Sequence, residues 1–123
     1  MCLELIGYQK KINIAKKDIV CYKILKKGRI YFTSPIIFFR YEKGELYYED
    51  SLDKVDKARL YGAISKGLHS FISADNTWKL SPGEVIVKCI IPKGSKYYQG
   101  TREYCSDHLK IGTNDDIIKK FKE

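Results

Sequence analysis

The sequence predicts a single α+β domain, residues 1–123, with a mostly antiparallel sheet and two or three short helices. Three observations lead to this prediction. The chain of 123 residues, 44% of them hydrophobic and 31% charged, has the size and composition of one globular domain. Segments with strand patterns outnumber those with helical patterns, and the two kinds do not alternate as they would around a parallel sheet. No linker or internal repeat divides the chain.

Residues 85–91 have the clearest strand pattern. This run, Val-Ile-Val-Lys-Cys-Ile-Ile, is rich in β-branched side chains, which suit a pleated surface. Both alternating sets are largely apolar, so both faces are expected to be covered, as in a central strand. Pro92 has no N–H to donate and ends the strand, and Lys93-Gly94 supplies a turn.

Shorter strands and three helices complete the predicted domain. The strands are predicted at residues 18–25, 30–32, 46–48, 68–72 and 104–111. One helix is predicted to begin at Ser51 and a brief one to follow Ser73. The last begins at Asn114, where acids in the first turn and lysines near the end complement the helix dipole.

The charge of the chain favours an anionic partner. There are 23 Lys and Arg against 15 Asp and Glu, a net charge of +8, which suits nucleic acid, a nucleotide, an acidic protein or a membrane surface. Residues 9–29 hold the densest positive segment, with eight Lys or Arg and one acid. Such a segment serves either as an anion-binding surface or simply as a soluble hairpin end.

Cysteine spacing and the N-terminal sequence predict a cytoplasmic protein. The four Cys, at positions 2, 21, 89 and 105, lack the short paired spacing of a zinc site or redox dithiol, so we expect no metal and no cofactor. Cys21 and Cys89 are predicted to be small buried side chains. The N-terminus lacks a signal-peptide pattern, and no apolar run approaches the ~20 residues that span a bilayer.

Residues 93–100, Lys-Gly-Ser-Lys-Tyr-Tyr-Gln-Gly, suit a nucleotide, because phosphate binds cations and free N–H groups while a base stacks on a flat ring. The alternative is a polar loop between strands.

His69 precedes Ser70, and neighbouring strand residues face opposite ways, which favours a structural histidine over a catalytic pair. The candidate ligand-binding residues are cations and rings with one histidine: Lys16, Lys17, Lys23, Lys26, Lys27, Arg29, His69, Lys93, Lys96, Tyr97, Tyr98 and Arg102.

Four segments of the chain resemble small uncharacterised proteins of phages and prophages. They are residues 20–23 (Val-Cys-Tyr-Lys), 67–71 (Gly-Leu-His-Ser-Phe), 87–98 (Val-Lys-Cys-Ile-Ile-Pro-Lys-Gly-Ser-Lys-Tyr-Tyr) and 104–111 (Tyr-Cys-Ser-Asp-His-Leu-Lys-Ile). The resemblance implies an accessory role in a host cytoplasm, such as countering host defence by binding a nucleotide signal or an effector protein.

A second, looser similarity is to toxin-type ADP-ribosyltransferases. It is carried by Tyr22-Lys23, the Ser-containing strand from Ser70, and the Ile-Pro-Lys-Gly strand end followed by Glu103. In that family an Arg, a Ser and a catalytic Glu surround NAD at the matching places. Here Lys23 stands where the Arg would be, and the acid or glutamine two residues before the catalytic Glu is lacking.

The sequence therefore supports three hypotheses. The first is a non-catalytic basic protein that binds a nucleotide or nucleic acid. The second is an atypical NAD-using enzyme that depends on Glu103. The third is a protein-binding or assembly module, since Ile36, Ile37, Phe38 and Phe39 form an apolar cluster that either joins the core or docks a second subunit or a host protein.

Overall fold

A computed structural model describes residues 12–34, 40–49, 68–74, 79–100 and 102–118. These residues form ten strands and one short 3-10 turn. In chain order the strands are β1 (Asn13–Ile14), β2 (Ile19–Lys27), β3 (Tyr31–Thr33), β4 (Arg40–Glu42), β5 (Leu46–Tyr48), β6 (Leu68–Phe71), β7 (Glu84–Ile91), β8 (Lys96–Gln99), β9 (Glu103–Ser106) and β10 (His108–Lys110).

All ten strands belong to one antiparallel sheet. Its order is β1-β8-β9-β6-β2-β7-β10-β5. Outside this order, β3 pairs with β2 and with β4. The predicted central strand is confirmed, because β7 lies between β2 and β10. The predicted strand at 18–25 is confirmed as β2, whereas the one predicted at 104–111 is divided by Asp107 into β9 and β10.

The longest feature of the sheet is a ribbon that bends once. Strand β2 pairs with β7 from Ile19 opposite Ile91 to Lys26 opposite Glu84. At the Ile19–Ile91 end of this ribbon both segments of the chain turn. They then pair again as β1 and β8, with Asn13 opposite Tyr97. The register is unchanged across the interruption, so the two turning segments, residues 15–18 and 92–95, have equal length. We call this pair of segments the double turn.

One face of the β2–β7 ribbon, the core face, is buried. Cys21, Leu25 and Val87 are fully buried there, as are Cys89 and Ile91, and this confirms that the two cysteines are buried. Their partners in the core come from the neighbouring strands: Phe32, Tyr41, Leu109 and Ile111. The opposite side of the ribbon, which we call the second face, carries Tyr22, the exposed Lys88 and the buried Ile86.

The predicted α+β class is wrong, because the described residues form an all-β structure with no helix of seven or more residues. The predicted C-terminal helix is only a 3-10 turn, Asn114–Asp116. Ile117 is extended and pairs with Val87, and the Ile118 N–H donates to the Ile86 carbonyl at 2.8 Å. Pairing with the edge of β7 therefore overrides the local helix pattern.

The other two predicted helices lie wholly or partly outside the described residues. Residues 51–60 lie outside the described ranges, as do residues 75–78 in the middle of the brief helix predicted after Ser73. In the part of the chain that is described, no helix has the length and hydropathy of a membrane span.

Candidate anion-binding site

The double turn gathers lysines from two distant parts of the sequence. Lys16 and Lys17 lie on its first segment, Lys93 lies on its second, and Lys96 begins β8 beside them. Two backbone hydrogen bonds join the segments, from Ala15 N–H to the Ser95 carbonyl at 2.9 Å and from Gly94 N–H to the Ala15 carbonyl at 2.8 Å. All four lysines are exposed. We call these four residues the lysine bend.

Two carboxylates fix the backbone of the lysine bend. Asp18 Oδ1 accepts a hydrogen bond from the Lys93 N–H at 2.8 Å. Asp107 Oδ1 accepts one from the Lys96 N–H at 2.9 Å and also lies 2.8 Å from His108 Nδ1. The acids neutralise part of the local charge but bind main-chain groups, so the ammonium groups remain exposed to solvent. The four lysines therefore outnumber the two acids at this bend.

Sequence analysis did not identify Asp18 or Asp107 as part of the site. The available signal was turn chemistry, because an Asp beside a turn commonly accepts a hydrogen bond from a nearby backbone N–H. Here the acceptor and donor are 11 residues apart for the Asp107–Lys96 contact and 75 residues apart for the Asp18–Lys93 contact. That contact follows from the β2–β7 register, which no local pattern specifies.

The backbone amides of this turn are already used within the protein. The Gly94 N–H donates to Ala15, as described above, and the Ser95 N–H donates to the Pro92 carbonyl at 3.1 Å. Together with the Lys93 and Lys96 amides, every N–H from residue 93 to residue 96 has a protein acceptor. The expectation that Gly94 frees amides for phosphate is therefore wrong. Gly94 instead has a φ of 89°, which allows the turn itself.

The other predicted cations do not join the lysine bend. Lys26, Lys27 and Arg29 are exposed at the far end of β2. The nine residues of β2 separate the two groups by about 30 Å. Arg102 is exposed in the turn between β8 and β9. The predicted basic segments thus form separate surfaces rather than one binding site.

The two predicted stacking rings lie in a strand rather than a loop. Tyr98 is only 4% exposed, so its ring is not available for a ligand to stack on. Tyr97 is partly exposed, and its ring meets that of Tyr104 edge to face at 5.8 Å between centroids. Strand β8 pairs with both β1 and β9, so it is an internal strand of the sheet.

Lys23 points into the core face and not toward an anion. Its Nζ donates to the His69 carbonyl at 2.6 Å and lies 5.4 Å from the centre of the Tyr41 ring. Burial lowers the pKa of the Lys23 ammonium, and the nearby thiols of Cys89 and Cys21 only partly offset this effect. Its role in this structure is to link β2 to β6.

His69 has one contact and one unpaired ring nitrogen. Its Nε2 lies 3.8 Å from Cys105 Sγ, while Nδ1 is buried and has no hydrogen-bond partner among the described residues. Burial, with a smaller contribution from Lys23, lowers the pKa of His69 to about 4. The ring is therefore neutral at physiological pH. The ring, which the sequence predicts to be structural, therefore has a contact at one nitrogen and no hydrogen-bond partner at the other.

The residues that resemble an ADP-ribosyltransferase site lie on two faces of the sheet. Phe71 pairs with Tyr22 and with Glu103, so Glu103 lies on the second face. Ser70 and Lys23 each neighbour one of these residues in a strand and lie on the core face. Burial raises the pKa of the Glu103 carboxyl. The geometry does not bring Lys23, Ser70 and Glu103 together around one ligand.

Comparisons with protein-family models, with curated proteins and with solved structures found no match to this chain. Functional inference therefore depends on the geometry of the chain itself. Within the described residues, no group of three or more His, Cys, Asp or Glu side chains could hold a metal ion. The predicted apolar cluster, residues 36–39, lies outside the described ranges.

Proposed function

We propose that this protein binds the phosphate backbone of a nucleic acid at the lysine bend, without chemically changing it. The observation that supports this function is the matched double turn, which brings Lys16 and Lys17 beside Lys93 and Lys96 although more than 70 residues separate them. Exposed lysines bind phosphates by releasing condensed counterions, which gives affinity without requiring a fixed geometry.

The form of the site favours an extended polyanion over a single enclosed phosphate. Phosphate pockets typically surround the anion with backbone N–H groups, and the amides of residues 93–96 are all occupied. Four exposed ammonium groups suit a chain of phosphates instead. Separation of Lys23 and Ser70 from Glu103 supports binding without turnover. With the resemblance to phage proteins, this binding suggests a role against a host defence in the host cytoplasm.

The triple variant Lys16→Ala/Lys17→Ala/Lys93→Ala is expected to weaken binding of a labelled single-stranded oligonucleotide about tenfold or more at low salt. All three changes are at exposed side chains and keep the Lys93 backbone N–H that donates to Asp18, so the fold should persist. Fluorescence anisotropy across a salt series measures the effect. Loss of three phosphate contacts should also reduce the slope of log affinity against log salt by about 2.

A matched control removes the same charge elsewhere. Lys26→Ala/Lys27→Ala/Arg29→Ala changes three exposed cations at the far end of β2 and should leave both affinity and salt slope nearly unchanged. Equal loss in the two triple variants would mean that net charge, and not the lysine bend, drives binding. Affinity that does not respond to salt would also refute the proposal.

A further inference from the structure

The second face of the sheet carries a continuous row of four side chains on four neighbouring strands. Lys88 of β7 pairs with Tyr22 of β2, Tyr22 pairs with Phe71 of β6, and Phe71 pairs with Glu103 of β9. Directly paired residues share a face of the sheet, and neighbouring strands are ~5 Å apart. The row therefore places two aromatic rings between a cation and a carboxyl group.

This row is partly open to solvent, and the next row on the same face is more deeply buried at Cys105 and Tyr98. Lys88 is exposed, and Tyr22, Phe71 and Glu103 are partly exposed. One pleat away, His69 pairs with Cys105, and Cys105 pairs with Tyr98. Cys105 is fully buried and Tyr98 nearly so. A ligand would therefore reach the Tyr22 row and have the His69 row behind it.

Two polar atoms at this place have no partner. Among the described residues, the buried polar side-chain atoms without a hydrogen bond are His69 Nδ1, Ser70 Oγ and Glu103 Oε2. The first and last flank Phe71 on the second face, since His69 lies two residues before it and Glu103 opposite it. Buried polar atoms in folded proteins are nearly always paired. A ligand with a matching polar edge would satisfy both atoms.

We propose that this row binds a nucleobase, which stacks on Tyr22 and Phe71 and, as the side chains of Glu103 and His69 turn outward, exchanges hydrogen bonds with Glu103 Oε2 and His69 Nδ1. Every base offers a flat π face for stacking and a polar edge with donors and acceptors. A simple anion would not fit, because it would meet the Glu103 carboxyl. Exposed Lys88, at the open end of the row, is placed to contact a phosphate attached to the base.

The neutral state of His69 supports this assignment. Its lowered pKa, about 4, means that the ring is neutral at physiological pH. One ring nitrogen then carries a proton, and the other can accept a hydrogen bond. Contact of Nε2 with Cys105 Sγ permits either tautomer, so Nδ1 can donate to a base or accept from it. The inference rests on the proposed function only for the class of ligand, because the row and the lysine bend share no residue.

Uncharged nucleosides test the row separately from the lysine bend. Adenosine, guanosine, cytidine and uridine are each titrated into the isotope-labelled protein and followed by amide NMR shifts. At least one nucleoside is expected to shift residues 22, 71 and 103. Tyr22→Leu should weaken that nucleoside about tenfold or more, because base stacking on the ring is lost, whereas Tyr22→Phe should retain affinity.

Matched variants separate the possible causes. Tyr48→Leu changes a tyrosine that is 64% exposed in the edge strand β5, which is separated from β7 by β10, and should leave nucleoside binding unchanged. The Lys16→Ala/Lys17→Ala/Lys93→Ala variant should also bind nucleosides normally, even where it has lost the oligonucleotide. Lys88→Ala should weaken a nucleoside monophosphate but not the nucleoside.

The outcomes distinguish the source of the base. An oligonucleotide that binds more tightly than the monophosphate assigns the row to a single strand, and equal affinities assign it to a free nucleotide; both support a nucleobase site. If no nucleoside shifts the row residues, or if Tyr22→Leu binds as well as the original protein, the nucleobase site is overturned. The anion-binding proposal would stand in either case, because it is measured by salt dependence.

Discussion

Replacing Gly112 with alanine is expected to lower the free energy of unfolding by about 3 kcal/mol or more. Gly112 is buried where the chain leaves β10 and passes along β7. An added Cβ would collide with the Lys88 carbonyl oxygen and would lie 2.7 Å from Asp116 Cβ and 2.9 Å from Val87 Cγ1. Because the principal obstacle is backbone, no side-chain rotation relieves it.

The expected damage reaches beyond the substituted residue. Gly112 lets the chain lie close enough to β7 for Ile117 to pair with Val87 and for the Ile118 N–H to reach the Ile86 carbonyl. Urea unfolding of Gly112→Ala, followed by circular dichroism, measures the loss. Gly94→Ala is the matched control. Its φ of 89° costs about 1–2 kcal/mol with a side chain, but its added Cβ meets open space. Equal losses at the two glycines would contradict this account.

Local patterns were sufficient to predict the strands that form the centre of the sheet. The apolar run at 85–91 predicts a central strand because both of its faces are apolar, and β7 is covered on the core face by residues such as Leu109 and Ile111. Burial could be predicted here because nearly every side chain in the run is apolar, which is typical of a strand covered on both faces. The strand ends were also set locally, by Pro92 and Gly94.

The C-terminal helix was wrongly predicted because its sequence pattern is local, whereas the strand pairing that overrides it involves a residue distant in sequence. Asp115 and Asp116 suit the first turn of a helix, and Asp116 does accept a hydrogen bond from the Thr113 N–H at 2.8 Å. That interaction caps a single 3-10 turn. The next residue, Ile117, gains a strand partner in Val87, which lies 30 residues earlier in the chain. Sequence periodicity contains no information on that pairing.

The candidate site was predicted in parts but not as an assembly. Lys16 and Lys17, and separately Lys93 and Lys96, were identified from charge, while their meeting depends on the register between β2 and β7. Tyr98 was predicted as a stacking surface and is buried, next to the fully buried Cys105 with which it pairs. A partly exposed ring on the same second face is Tyr22, whose neighbours Phe71 and Glu103 are distant in sequence.

Acid is expected to destabilise the protein through His69. Its pKa is about 4 in the folded chain and 6.5 in the unfolded one, so between these values the unfolded state binds more protons. The sign follows directly: the stability linked to a neutral His69 is complete above pH 6.5 and is lost as the pH falls toward 4. The full loss amounts to about 3 kcal/mol. Urea unfolding at a series of pH values measures it.

Two substitutions separate His69 from the other titrating groups. His69→Gln keeps a polar side chain near Cys105 but removes the titration, so the fall in stability between pH 6.5 and 4 should become shallower than in the original protein. Glu103 acts in the opposite direction, because burial raises its pKa and the resulting contribution to stability is lost as the pH rises. Glu103→Gln should therefore steepen the acid loss. If His69→Gln and the original protein lose stability in parallel across this range, the ring is not buried in its neutral form, and the unpaired Nδ1 that supports the nucleobase site would lose its physical basis.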